Sequence, residues 1–178
     1  PKAHSAHYEL AKIYLKEKDH SGAYRSLDNA LKIAPKNTAY LKLLPKVIKT
    51  DAQITNNFTR LATLNKVPGA DARTKLLLAR GYVIQKKPGT AALYFAAVYN
   101  LDKKLLKGAK EPIKVLYGAK KYALSADLSD DYLKTRDSKD LEVRTIQVKS
   151  LSSTGADSRK LRRAIGELVK LDPGTKDW

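Results

Sequence analysis

The chain has 178 residues, and its 35 Lys and Arg against 18 Asp and Glu give a net charge of +17. It holds no Cys, which excludes a disulfide framework, thiolate zinc sites, iron–sulfur ligation and a cysteine nucleophile. Hydrophobic residues at 43% supply enough apolar surface for a packed core in spite of the charge. No run approaches the ~20 consecutive apolar residues of a spanning helix, so a soluble chain is expected. The chain begins at Pro1, without Met or a basic-then-apolar leader, and is expected to be a processed chain or a fragment of a longer one.

In chain order, Leu10, Ile13 and Tyr14, then Ala23, Leu27, Ala30 and Leu31, recur at three and four residues and predict two helices. Asp19-His20-Ser21-Gly22 separates them, offering a cap for the second, and Pro35 stops it. Sliding the sequence by 68 residues sets Leu10, Ala11, Tyr14, Ala23, Leu27 and Ala30 on Leu78, Ala79, Tyr82, Ala91, Phe95 and Val98. Half that shift reaches Leu44, Pro45, Ile48, Asn57, Leu61 and Leu64, so the period is 34 and the chain holds about five units. Their approximate bounds are 4–37, 38–70, 71–106, 111–138 and 139–174, within one repeat domain over 1–178.

Three irregularities are expected along this array. Pro45 lies inside the first helix of the second unit, which is therefore kinked or starts late. The next small-residue and Tyr pair after Ala79 and Tyr82 is Ala119 and Tyr122, 40 residues on, so residues 103–110 lengthen the link into the fourth unit. That unit has a short acidic second helix over 129–136. In the last unit, residues 153–158 break the pattern and Asp172-Pro173 closes it. Period-two alternation is scarce, so the expected class is all-α with essentially no sheet.

The order His7, Leu10, Ala11, Tyr14, Ala23, Leu27, Pro35, and again Lys75, Leu78, Ala79, Tyr82, Ala91, Phe95, resembles the tetratricopeptide repeat (TPR) family. Both units lack the family's leading aromatic, and Lys103 stands where a closing Pro would. The resemblance implies about ten helices paired into five repeats, stacked as a right-handed α-solenoid whose first helices line a concave groove for a partner. It also implies a non-enzymatic protein–protein interaction scaffold of the kind bacteria use in assembly, secretion or envelope complexes, with cytoplasm and periplasm both open as its compartment.

Catalytic chemistry finds little support. His4, His7 and His20 lie together, but with no Cys nearby and only Glu9 close in sequence, His7 is read as a repeat slot and no metal site is assigned. No phosphate-binding glycine loop and no Gly-x-Ser-x-Gly occurs, so no cofactor or small-molecule substrate is expected. Asp127, Asp130 and Asp131 cluster beside an expected helix start, where capping and the helix dipole account for them. Asn57-Phe58-Thr59 matches a glycosylation sequon inside an expected helix.

In the resembled family a groove-facing position follows the small residue of the first helix. Here it is Lys12, Lys46 and Arg80, spaced by 34, with Lys120 following Ala119. Tyr8, Lys42, Leu76 and Leu116 are the neighbouring groove positions. Such a cation column suits an acidic protein or peptide segment. Lys103, Lys104, Lys107, Lys110 and Lys114 form a second basic patch, for which nucleic acid or an anionic membrane surface is the alternative partner. Oligomeric state is not legible.

Overall fold

The structure, a computed structural model, describes residues 3–175. Among the described residues there are ten α-helices, two short 3-10 turns and no strand. The helices are α1 (Ala3–Lys16), α2 (His20–Ile33), α3 (Thr38–Val47), α4 (Asp51–Asn65), α5 (Ala72–Ile84), α6 (Pro88–Asp102), α7 (Lys110–Gly118), α8 (Tyr122–Thr135), α9 (Leu141–Ser153) and α10 (Ser158–Leu171). None is long and apolar enough to cross a membrane. The chain divides into two compact units, Pro1–Lys86 and Lys87–Trp178.

In the first unit, α1 packs on α2, α2 on α3, and α3 and α5 both on α4, with α3 also touching α5. Side-chain caps begin α2 to α5. Asp19 accepts the Gly22 amide at 2.8 Å, Asn37 accepts the amides of Ala39 and Tyr40, and Asp71 accepts the Thr74 amide and hydroxyl. Thr50 and Gln53 form a reciprocal capping box at the start of α4. Each such cap contributes about 1 kcal/mol. Most apolar residues of the 34-residue pattern face inward, and Ala11, Ala23, Leu27, Ala30, Leu31, Ile54 and Leu61 are fully buried, whereas Leu10 and Ile13 on α1 are exposed, against expectation. Burial of each large side chain stabilises the unit by about 1.5–3 kcal/mol. Between the second helices α2 and α4, Asn57 donates to the Tyr24 hydroxyl at 2.8 Å and Arg60 pairs with Asp28 at 2.7 Å.

Of the two expectations for Pro45, a late start does not occur. Helix α3 starts on its Asn37 cap without delay and stops two residues after the proline, at Val47. The missing amide of Pro45 removes only one hydrogen bond near the helix end, so a short helix is the cheapest accommodation.

In the second unit, α6 packs on α7, α7 on α8 and α9, and α9 on α8 and α10. The link 103–110 is a 3-10 turn over Lys103–Leu106, with Leu106 buried. It does not break the period. Among the described residues, left-handed backbone occurs at three residues other than glycine, Lys18 (φ 63), Lys86 (φ 56) and Lys120 (φ 58), 68 and then 34 residues apart. Each is the turn between the two helices of a pair, so the fourth pair keeps the 34-residue register. Ala119 therefore lies in that turn, and Tyr122 opens the second helix rather than closing the first. That second helix is 14 residues long, not short. Its inward slots are Ser125 and Ser129, both fully buried, with Ser125 Oγ donating to the Ile113 carbonyl at 3.0 Å and Ser129 Oγ to the Ser125 carbonyl at 2.7 Å. At the end of the unit Val148, Ala164 and Leu168 form a small core with Leu151, Leu161 and Ile165 against it.

Candidate partner-binding surface

The first helices of the first unit are α1, α3 and α5. Tyr8 of α1 stacks on Tyr40 of α3 with ring centroids 4.5 Å apart, and the Tyr40 hydroxyl bonds His4 Nδ1 at 2.7 Å. Lys12 sits 5.0 Å above the Tyr8 ring and 2.6 Å from Glu9. Its hydrogen bond to Glu9 raises the Lys12 pKa, so the side chain stays charged throughout the physiological range. Arg80 Nη2 meets Asp51 Oδ1 at 2.6 Å. On α3, Lys42 and Lys46 are exposed and have no carboxylate partner among the described residues. Leu76 of α5 is half-buried. Like charges at the spacing of packed helices repel by about 1 kcal/mol or more in a semi-aqueous setting. Glu9 and Asp51 relieve that repulsion for Lys12 and Arg80, while α3 keeps its charge available.

In the second unit the successive first helices α7 and α9 enclose a cleft of about 560 Å³. Its floor is apolar, built from Tyr117, Ile146 and Leu141, and Leu141 is 42% exposed. Lys114, Glu142 and Lys149 rim it, with Lys114 paired to Glu142 at 2.6 Å. An apolar floor gains about 25 cal/mol per Å² that a ligand covers, and rim cations orient a ligand carboxylate.

No family model matches the sequence, and no curated protein matches it. Solved structures do. A crystal structure of MamA superposes with a TM-score of 0.61 at 10% identity, covering 99% of this chain and 97% of that one. A second MamA structure gives 0.57 at 11% identity, covering 95% and 98%. YrrB, described as a TPR protein with an unusual peptide-binding site, gives 0.61 at 9% identity over 95% of this chain and 86% of that one. The fold is that of a tetratricopeptide-repeat solenoid.

Within the TPR frame, five groove residues fall on exposed or partly exposed first-helix positions as basic or aromatic groups of one unit: Tyr8, Lys12, Lys42, Lys46 and Arg80. Two others do not belong to such a face. Leu116 is fully buried, because the unbroken 34-residue register puts it in the slot that Tyr14 and Tyr82 occupy in their repeats. Lys120 lies in the turn between α7 and α8. The residue in step with Lys12, Lys46 and Arg80 is Lys114, 34 beyond Arg80, and Lys149 follows 35 later. Lys149 escaped the sequence reading. Strict counting from Arg80, without moving to the Ala119 and Tyr122 pair, finds Lys114 directly and Lys149 within one residue.

The basic stretch does not survive as a continuous patch. Lys103 pairs with Asp127 and with Asp131, the second at 2.9 Å, and Lys110 pairs with Asp140. The bond to Asp127 above all raises the Lys103 pKa. With Lys114 on Glu142, Lys104 and Lys107 are the members of the five without an acid partner among the described residues. The acids Asp127, Asp130 and Asp131 lie within α8 rather than at its start, and they serve Lys103 and Lys134 in place of capping. Among the described residues no three His, Asp or Glu come together as metal ligands. The sequon residue Asn57 is 1% exposed and its amide is committed to Tyr24 and the Gln53 carbonyl.

Proposed function

We propose that this chain is a non-enzymatic scaffold that holds a partner protein by acidic segments laid against the exposed faces of the first helices of each unit. The observation that carries the reading is a cation recurring at one helical position, Lys12, Lys46, Arg80, Lys114 and Lys149, beside aromatic and apolar surface. A carboxylate arriving there meets Lys42 and Lys46 without having to displace an acid of the protein itself. At Lys12, Arg80 and Lys114 it exchanges with an exposed ion pair that water and salt screen, so those sites yield readily to a better-placed ligand.

Charge reversal tests this. The double variant Lys46→Glu/Arg80→Glu is expected to weaken capture of an acidic partner segment about tenfold or more, the equivalent of about 1.4 kcal/mol, while circular dichroism stays helical. Capture at unchanged affinity by that variant would remove the first-helix face from the account. If generic RNA instead bound with a steep loss at high salt and responded to Lys104→Glu/Lys107→Glu, a polyanion surface would take its place.

A further inference from the structure

We infer that the cavity between α8, α9 and α10 is a second recognition site, which takes a short extended peptide carrying closely spaced carboxylates. Helices α8 and α10 both pack on α9 and leave about 810 Å³ between them. That is the upper part of the ~300–1,000 Å³ range of ligand pockets, large enough for several residues of peptide. The cavity uses the face of α9 opposite the α7 cleft. Arg144, Gln147 and Leu151 line the one, and Thr145, Ile146 and Lys149 the other, as residues about 100° apart per step require.

The charges around this cavity are unequally engaged. Four carboxylates line it, and each already has a partner. Asp127 holds Lys103 and the Tyr99 hydroxyl, Asp130 holds Lys134, Asp157 caps α10 through the Arg159 amide at 2.9 Å, and Glu167 pairs with Lys170 at 3.0 Å. The cations are less committed. Lys160 is exposed on α10 without an acid partner among the described residues, and Arg163, also exposed, forms no hydrogen-bonded ion pair there, although it and Arg144 lie near enough to Glu167 to help hold that carboxyl below its ordinary value. Arg144 is held in place by Gln147 Oε1 at 3.0 Å and the Ser138 carbonyl at 3.1 Å, while its buried Nε has no hydrogen-bond partner. Three cationic groups with spare donors, one of them already oriented, select an anion.

Desolvation decides which anion. Doubling the charge of a ligand doubles its attraction to the lining cations and its repulsion from the four acids alike, but its desolvation cost rises as the square of the charge, so singly charged carboxylates are preferred over a phosphate of nearly two charges. Between the charges, Ala126, Leu133, Leu151 and Ala164 make apolar wall. In an extended peptide successive side chains point to opposite sides, so alternating acidic and small apolar residues present one kind to the cations and the other to that wall. This site involves other helices than the proposed first-helix surface and stands whether or not that surface binds.

The absence of Cys permits a local test on the full chain. Ala123, exposed on α8 at the cavity, is replaced as Ala123→Cys and labelled with an environment-sensitive fluorophore. The probe ligand is the hexapeptide Glu-Ala-Glu-Ala-Glu-Ala, titrated in the Lys46→Glu/Arg80→Glu background so that the first-helix surface is removed. A saturable emission change is expected, absent with the Gln-for-Glu peptide and weakened about tenfold or more by Lys160→Glu/Arg163→Glu. Arg144→Gln, which alters a single guanidinium, is expected to weaken it as well. No emission change, equal binding of the Gln peptide or of a phosphoserine peptide of the same spacing, or indifference to Lys160→Glu/Arg163→Glu would each overturn the assignment.

Discussion

Asp140 shows how one side chain can be both cap and cation partner. It accepts the Val143 amide at 3.1 Å at the start of α9, pairs with Lys110 of α7, and is 8% exposed. Burial pushes its carboxyl up, but the bonds from Lys110, the Val143 amide and Tyr132 outweigh burial and hold it below its ordinary value of 3.8. Asp28 and Asp127 are depressed in the same way, each against the upward push of burial, by Arg60 and Lys32 and by Lys103 and Tyr99. A depressed carboxyl stabilises the fold at pH above its unfolded value, and that contribution is lost as pH falls through the lower folded value. Thermal melts should therefore be flat from pH 7 to about 5 and fall below about pH 4. Asp140→Asn should flatten part of that acid slope. Asp140→Ala should destabilise by about 1 kcal/mol more than Asp140→Asn, because only the amide can still cap α9. Equal melting temperatures for the two variants would remove the capping role.

Helix against helix, two glycines separate packing from propensity. A Cβ on Gly81 of α5 would lie 2.6 Å from the Phe58 ring of α4, whereas at Gly166 of α10 nothing lies within 4 Å. Ala gains about 1 kcal/mol over Gly inside a helix. Gly166→Ala should realise about that gain, whereas Gly81→Ala should lose up to about 2 kcal/mol net, since overpacking costs about 1–3 kcal/mol against it. Chemical denaturation of both variants checks the sign of each. The same scale explains what the sequence made readable. The first and third pairs announce themselves through Leu, Ala, Tyr, Ala and Leu or Phe at fixed spacing. In the fourth pair the slots hold Pro112, Ile113, Leu116, Ser125 and Ser129, so a pattern reader moves to Ala119 and Tyr122, six residues out of step. Small and buried is what the slot demands, and Ser meets it by returning its hydroxyl to a backbone carbonyl. The helix turn records the register more faithfully than the apolar slots do, in the left-handed Lys18, Lys86 and Lys120. No spacing rule reveals the cavity behind α9, because it arises where α8 and α10 fail to close on each other.

Across the whole chain, a net charge of +17 resolves into populations with different chemistry. Lys103, Lys110 and Arg60 are spent on holding helices together. Lys12, Arg80 and Lys114 carry exchangeable surface partners, and Lys42, Lys46 and Lys160 carry no acid partner among the described residues. Basicity thus serves the fold first and recognition second, and an acidic protein segment fits the uncommitted charges on a TPR solenoid that also offers apolar floor. The account predicts where such a segment touches. In a nuclear magnetic resonance titration of the isotope-labelled chain with an acidic peptide, the backbone signals of Lys42 and Lys46 on α3, and separately those of Tyr117 and Lys149 beside the α7 cleft, should shift and saturate. Unmoved signals at those first-helix residues, with the peptide demonstrably bound, would contradict it.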